Sequence, residues 1–137
     1  MDKDRINRPE LLAPLVLAYI GDSIYEVYVR GELVKLHTDM PVYKLHKEAV
    51  KYVRAHAQSN SILAIEELLT EQETAIYKRG RNAKSPTTPK NADIGEYRRA
   101  TGFEALVGYL YLKGDRERLE LIMKAAFDTA LDNCDAK

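Results

Sequence analysis

The chain has 137 residues and a mass of 15.6 kDa, the size of one ordinary domain. Its hydrophobic fraction of 45% supports a sizeable core, and its 21 basic residues balance 21 acidic ones, which excludes a disordered charged tail. A single cysteine, Cys134, cannot form an internal disulfide, and the longest uncharged run, residues 11–21, is shorter than the roughly 20 residues of a membrane helix. We therefore expect a soluble, cytoplasmic protein of one domain, residues 1–137, without a signal peptide or membrane contact.

The spacing of apolar residues predicts helices along almost the whole chain, and no alternating strand pattern competes with it. Helices end where Gly114 and the prolines interrupt that spacing, including a break or bend near Pro14. The predicted helices begin, in chain order, at Pro9, at Asp39 to Pro41, at Ser59 or Asn60, at a capping box from Thr70 to Glu73, at a second box from Asp93 to Glu96, and at Asp115. The predicted fold is all-α, a helical bundle.

One basic loop interrupts the helices. Residues 82–91, NAKSPTTPKN, contain two prolines, no acid and no large apolar side chain, which is typical of an exposed connector. The surrounding residues 78–99 hold seven basic and two acidic side chains, a net charge of +5 that the rest of the chain offsets. Lys, Arg and Thr side chains are the ones that contact phosphates and groove edges of nucleic acids. The predicted contact is with RNA or DNA, and the predicted binding residues are Lys78, Arg79, Arg81, Lys84, Thr87, Thr88 and Lys90.

Two acids lie in the two most apolar helical segments. Asp22 is part of LAYIGDSIYEVYV, and Glu104 is part of ATGFEALVGYLYL. A carboxylate in a core helix is costly unless it is paired or binds a cation. Gly21 precedes Asp22 and Gly108 follows Glu104 by one turn, and a glycine inside a helix often marks close packing. If the two helices cross at these glycines, the carboxylates meet at one edge. Carboxylate oxygens completed by water suit Mg²⁺, with Mn²⁺ as a substitute, and such an ion beside a basic surface is suited to phosphodiester hydrolysis.

These two segments carry a family resemblance. YIGDSIYEVYV resembles the ribonuclease III signature, a Leu-Gly-Asp-Ser/Ala segment on a helix, and ATGFEALVGYLYL resembles the family's second motif, ending in Glu-Ala-Leu-Ile-Gly. Order, spacing and the helical prediction also match the nuclease domain of that family. Without room for the usual double-stranded RNA-binding domain, the chain resembles the short bacterial subfamily, Mini-ribonuclease III.

The resemblance implies an activity. It assigns Asp22 and Glu104 as the catalytic and metal-binding pair of a Mg²⁺-dependent endoribonuclease. A homodimer would cut both strands of double-stranded RNA, leaving 5′-phosphate ends. The implied substrate is the ends of precursor large-subunit ribosomal RNA, with a ribosomal protein as a candidate partner.

The chain departs from the family pattern at two positions. Family members commonly carry acids four residues before the matched aspartate and three before the matched glutamate, where this chain has Ala18 and Thr101. Glu26, one turn beyond Asp22, is a candidate helper or a surface acid. The departures keep an alternative open, a non-catalytic RNA-binding ribosome-assembly factor on the same fold. A helical dimerisation adaptor without an RNA role is the third hypothesis.

Other side chains receive structural interpretations. His46 and His56 are ten residues apart on one predicted helix, about 15 Å by helical rise, too far to flank one phosphate. Tyr19, Tyr25 and Tyr109, with most of the other tyrosines, lie in apolar stretches and are expected in the core or a dimer interface.

Overall fold

The computed structural model describes residues 7–85, 88–90 and 92–135, the side chain of Asp135 excepted. Across these ranges every regular element is helical, which confirms the all-α prediction. None of the helices found there is long and apolar enough to cross a membrane. Single turns of 3-10 helix lie at Pro9–Leu11 and Glu66–Leu68. The helices used below are α1 Pro14–Leu36, α2 Val42–Val53, α3 Ala55–Ile65, α4 Glu71–Asn82, α5 Ile94–Lys113 and α6 Arg116–Asp135.

Side-chain caps fix the starts of α4 and α5, which carry four of the nine predicted site residues. At α4, the Glu73 amide donates to Thr70 Oγ1 at 3.1 Å and the Thr70 amide donates to Glu73 Oε1 at 2.9 Å, so the predicted capping box is confirmed. At α5, the Glu96 amide donates to Asp93 Oδ1 at 3.0 Å. This helix ends at Gly114, whose φ of 83° is the left-handed conformation that glycine adopts without strain.

The predicted start of the third helix, Ser59 or Asn60, is wrong. Helix α3 begins at Ala55, because Arg54 adopts an extended backbone (φ −64°, ψ 156°) that separates α2 from α3. The Arg54 side chain makes no N-cap hydrogen bond at this break, so the adjacent sequence carries no N-cap signal. Ser59 is instead buried inside α3, where its Oγ accepts a hydrogen bond from Arg99 Nε at 2.7 Å. His46 and His56, predicted on one helix, therefore lie on two.

Helix α5 is the centre of the bundle. It packs against α1, α3, α4 and α6, and residues 105–110 are all buried. A helix that is buried on every side is expected to be apolar all round, which explains the run ALVGYL. Tyr25 of α1 meets Phe103 edge to face, with ring centroids 4.9 Å apart. Glu104, which directly precedes this buried stretch, is therefore held by a well-packed part of the helix.

An ion pair between Glu73 and Arg118 joins α4 to α6. Arg118 forks onto the Glu73 carboxylate, with Nε 2.7 Å from Oε2 and the second nitrogen 2.8 Å from Oε1. The same guanidinium donates to the Leu68 carbonyl. Burial alone would raise the pKa of Glu73, but the hydrogen bonds from Arg118 and Thr70 and the charge of Arg118 hold that pKa below its ordinary value.

Candidate active site

Asp22 and Glu104 lie where α1 crosses α5, and two glycines make that crossing possible. A Cβ added to Gly21 would lie 1.7 Å from the Glu104 carbonyl oxygen, and one added to Gly108 would lie 1.9 Å from the Leu17 carbonyl oxygen. These neighbours are backbone atoms, so any larger residue would push the helices apart. The close packing at Gly21 and Gly108 that the sequence suggested is therefore present. It brings Asp22 and Glu104 to one edge of the bundle.

The two carboxyl groups interact directly. Burial, followed by the hydrogen bond and negative charge of Asp22, raises the pKa of Glu104 to about 8, and a hydrogen bond from Gln58 acts in the opposite direction. Asp22 itself is exposed, whereas Glu104 is mostly buried. A proton between such carboxyl groups relieves their repulsion, and so would a cation. The two carboxyl groups thus repel each other when both are ionised, and the pair is open to solvent on the Asp22 side.

Gln58 of α3 is the residue of this site that sequence reasoning missed. Its side chain is only 2% exposed, and its Nε2 donates to Glu104 Oε2 at 3.3 Å and to the Val53 carbonyl at 2.8 Å. The predicted helix start at Ser59 left Gln58 outside the helix that carries it. Only a boundary at Ala55 places this amide on the inner face of α3.

The donor set fits Mg²⁺ with few protein ligands. Among the described residues, no group of three or more His, Cys, Asp or Glu side chains could hold a metal ion. Two carboxylates are nevertheless the usual protein contribution to a Mg²⁺ site, since this ion keeps several waters and takes phosphate oxygens from its substrate. The Asp22 and Glu104 oxygens provide that contribution.

The positions that lack the family's acids are filled in other ways. Ala18 is 6% exposed and belongs to the core. Thr101 donates its hydroxyl to the Tyr97 carbonyl one turn earlier. Glu26 accepts a hydrogen bond from Arg30 Nε at 3.1 Å, on the exposed side of α1. The ion pair of Glu26 favours the interpretation as a surface acid.

A polar cavity reaches Thr101, one turn before Glu104 on α5, although neither Asp22 nor Glu104 is among its lining residues. It has a volume of about 260 Å³ and lies between the loop after α4 and the first half of α5. Lys84, Thr88 and Arg98 are also among its lining residues. Arg98 was not among the predicted RNA-binding residues, although its position beside Arg99 in a basic segment is a signal that could have found it.

The other predicted RNA-binding residues differ in availability. Lys78 and Lys90 are exposed, and Arg81 stacks 5.6 Å from the centre of the Tyr77 ring. Arg79 turns away from the loop and donates to the Glu10 carbonyl at 2.8 Å and the Leu12 carbonyl at 3.2 Å. Arg79 therefore anchors the segment before α1, and its RNA contact stays a prediction. Thr87 lies outside the described residues.

Helix α1 exposes apolar side chains on the face opposite the core. Val16, Tyr19 and Val27 are 51%, 81% and 69% exposed, and their spacing places them on one side of the helix. Of the tyrosines predicted in the core or a dimer interface, Tyr25 and Tyr109 lie in the core. Tyr19 is instead the most exposed large side chain of this stripe, which is typical of an interaction surface.

An all-α fold with two paired carboxylates is typical of a metal-dependent nuclease, and comparison with known families identifies which one. The family model of the ribonuclease III domain matches residues 15–115, which include Asp22, Gln58 and Glu104. The chain belongs to the ribonuclease III family, and the resemblance proposed from the two motifs is confirmed. It is accordingly an endoribonuclease by class.

Comparison with individual proteins shows which members of this family the chain resembles. The chain is 53% identical over 111 residues to the Mini-ribonuclease 3 of Clostridium tetani, covering 81% of this chain and 74% of that protein. It is 49% identical over 128 residues to the Mini-ribonuclease 3 of Brevibacillus brevis, covering 93% of this chain and 95% of that one. The crystal structure of a protein from Fusobacterium nucleatum shares the fold, with a TM-score of 0.75 and 32% identity over 83% of this chain and 90% of that chain. Mini-ribonuclease 3 proteins are thus what this chain resembles along most of its length.

Proposed function

We propose that this protein is a Mg²⁺-dependent endoribonuclease that cleaves double-stranded RNA, with Mn²⁺ able to substitute. The observation that carries the proposal is the Asp22–Glu104 pair, held where two glycines let α1 cross α5, and the first half of α5 also lines the cavity of Lys84 and Arg98. Asp22 and Glu104 would hold the ion as catalytic residues. The ion supplies activation of water and stabilisation of the charge on the leaving 3′ oxygen, which produces 5′-phosphate ends.

The basic surface would bind and orient the duplex. A-form RNA is recognised mostly by shape, phosphates and 2′-hydroxyl groups across its minor groove. The exposed side chains of Lys78, Lys84, Thr88 and Lys90 offer charge and hydrogen bonds for that purpose, and Lys84 and Thr88 line the cavity that reaches Thr101. We expect the affinity for duplex RNA to fall steeply as salt is raised, because each phosphate contact releases counterions.

We further propose that the active form is a homodimer, in which each protomer contributes one site and cuts one strand. The support is the exposed apolar stripe of Val16, Tyr19 and Val27 on α1, the helix that also carries Asp22. Dimerisation through that stripe would bury it and fix the two sites relative to each other. Tyr19→Asp should give a monomer in analytical ultracentrifugation and lose paired cleavage of a duplex, while its helical content remains that of the wild type.

For the cellular substrate we propose the ends of precursor large-subunit ribosomal RNA, processed in the cytoplasm with a ribosomal protein as partner. The resemblance to Mini-ribonuclease III supports this assignment. Incubation of the protein with precursor transcripts, with and without the ribosomal proteins that bind near their ends, tests it. Cleavage at random positions in every duplex would contradict a dedicated maturation role.

The deciding experiment compares wild type with Asp22→Asn on a long duplex RNA, with and without Mg²⁺. Glu26→Gln is a matched control, because Glu26 lies one turn away on the same helix and pairs with Arg30. We expect cleavage that requires Mg²⁺ and Asp22 and is kept in Glu26→Gln. Cleavage by Asp22→Asn at the wild-type rate would refute the proposed site.

A non-catalytic ribosome-assembly factor is the second candidate, because Ala18 and Thr101 stand where the family usually carries acids. The same comparison separates the two. Duplex binding without cleavage, equal in wild type and Asp22→Asn, would favour the assembly factor.

A further inference from the structure

The amide of Gln58 joins the proposed ligand Glu104 to a break in the backbone. Between α2 and α3, Arg54 leaves the helical conformation, so the Val53 carbonyl lies at a helix end. It requires a hydrogen-bond donor from outside its own helix. Gln58 Nε2 supplies it at 2.8 Å and also reaches Glu104 Oε2 at 3.3 Å. One buried nitrogen therefore serves two acceptors on different elements.

These two acceptors determine which way the amide is turned. A backbone carbonyl oxygen can only accept, so the Val53 carbonyl requires the Gln58 nitrogen, and an ionised Glu104 carboxylate, the form that binds a cation, accepts from the same nitrogen. With the nitrogen in that place, Gln58 Oε1 is buried and has no hydrogen-bond partner among the described residues. Buried side-chain oxygens without a partner are rare and call for an explanation, of which a role in the site is one.

We propose that Gln58 is a positioning residue that holds the Glu104 carboxylate in its cation-binding orientation. The hydrogen bond fixes one carboxylate oxygen, Oε2, and leaves the remaining lone pairs of the group for Asp22's side of the site. The Val53 carbonyl in turn fixes the Gln58 amide, so the helix break at Arg54 contributes to the orientation of Glu104. This inference rests on the proposed function, because it concerns the same pair of carboxylates.

A purely structural role is the competing explanation, and the chain offers a control for it. Ser61 lies on α3 near Gln58, is fully buried, and donates to the Ala126 carbonyl of α6 at 2.9 Å, away from Glu104. Ser61→Ala removes a buried hydrogen bond of the same helix without touching the site. Gln58→Met keeps the volume and unbranched shape of the side chain and removes both donated bonds.

The experiment measures three quantities for wild type, Gln58→Met and Ser61→Ala: the melting temperature, the dissociation constant for Mn²⁺ by calorimetry or electron paramagnetic resonance, and the single-turnover cleavage rate as a function of Mg²⁺. Groups that orient a metal ligand typically change metal affinity or activity by 10- to 100-fold when they are replaced. We expect Gln58→Met to weaken Mn²⁺ binding by about tenfold or more and to raise the Mg²⁺ concentration of half-maximal rate by a similar factor. Ser61→Ala should lower the melting temperature and change neither metal quantity.

The opposite result is equally clear. If Gln58→Met melts earlier, as Ser61→Ala does, yet binds Mn²⁺ and cleaves with wild-type Mg²⁺ dependence, Gln58 is structural and the inference is overturned. Gln58→Asn, which keeps the amide but is too short to reach both acceptors, replaces Gln58→Met if that variant does not fold, with the same expectation. A wild-type protein that binds Mn²⁺ without cleaving RNA would refute the proposed function alone, because the Mn²⁺ comparison still decides the role of Gln58.

Discussion

Replacing Gly21 by alanine tests whether the site depends on the close crossing of α1 and α5. The added methyl carbon would lie 1.7 Å from the Glu104 carbonyl oxygen and 2.8 Å from the Gly108 nitrogen. Ordinary contact begins at 3.4 Å, so the oxygen would have to retreat by about 1.7 Å. Because both neighbours are backbone atoms of the central helix, no side-chain rotation relieves the clash, and the two helices must separate.

The expected change in stability is the difference between two effects. Alanine in place of glycine inside a helix gains about 1 kcal/mol. Overpacking typically costs about 1–3 kcal/mol, and a clash with backbone belongs at the upper end or above it. We therefore expect Gly21→Ala to lose at least ~2 kcal/mol of unfolding free energy. For a chain of this length that is a fall in melting temperature of about 8 °C, measured by calorimetry or circular dichroism.

Gly31 provides the matched control on the same helix. A Cβ there meets nothing within 4 Å, so Gly31→Ala gains helix propensity without a clash. It should stabilise the protein by about 0.5–1 kcal/mol and raise the melting temperature by a few degrees. The two substitutions are chemically identical, so opposite signs would isolate the helix crossing as the cause.

Activity gives the second measurement of Gly21→Ala. Separation of α1 from α5 moves Asp22 relative to Glu104, and a misplacement of about 1 Å can cost on the order of 10²-fold in rate. Single-turnover cleavage at saturating Mg²⁺, at a temperature where the variant is folded, should show a loss of that order. A variant that melts no earlier than Gly31→Ala and cleaves at the wild-type rate would refute the reasoning.

Further predictions concern charge. Burial and Asp22 raise the pKa of Glu104 from 4.5 to about 8, so between these pH values the folded metal-free protein binds a proton that the unfolded chain has lost. Its melting temperature should therefore fall as the pH rises from 4.5 to about 8, and a melting temperature independent of pH would contradict this. Glu104→Gln should flatten this pH dependence, stabilise the metal-free protein at pH 8 and abolish Mg²⁺-dependent cleavage, whereas retained cleavage would exclude Glu104 as a ligand. Arg118→Ala leaves Glu73 buried and unpaired, which should cost about 3–5 kcal/mol in denaturant unfolding but leave the Mg²⁺ dependence of cleavage unchanged. Lys84→Ala should weaken metal-free duplex binding and reduce the slope of log affinity against log salt by about one, and an unchanged slope would place Lys84 outside the RNA contact.

The sequence was informative wherever a local signal coincided with the tertiary structure. Capping residues such as Thr70 and Asp93 act within one turn, so the starts of α4 and α5 could be predicted from adjacent residues alone. The glycines at 21 and 108 were informative for a different reason. A glycine in an apolar helix costs propensity, so its presence already indicated a close neighbour.

The features that could not be predicted are those that depend on a distant partner. The break at Arg54 has no cap, and it is accommodated by Gln58 and by the packing of α3 on α5, neither of which is visible in the local sequence. The same holds for Arg79, whose basic character indicated RNA contact although its guanidinium binds two carbonyls some 70 positions earlier in the chain. Composition reports that a charge is present, and only the fold determines what it faces.

Three costly features of this structure lie together around Asp22 and Glu104. The glycines of the crossing give up helix propensity, Glu104 lies mostly buried with a carboxyl neighbour, and Gln58 Oε1 is buried without a partner. The glycines cannot be replaced without forcing α1 and α5 apart, and replacement of Glu104 or Gln58 changes the site itself. The fold offsets the cost elsewhere, through the fully buried stretch of α5 at residues 105–110 and the paired charges of Glu73 and Arg118. Electrostatic and packing costs that collect at one edge are what a site built to receive a cation requires, because a cation would remove the repulsion between the Asp22 and Glu104 carboxylates.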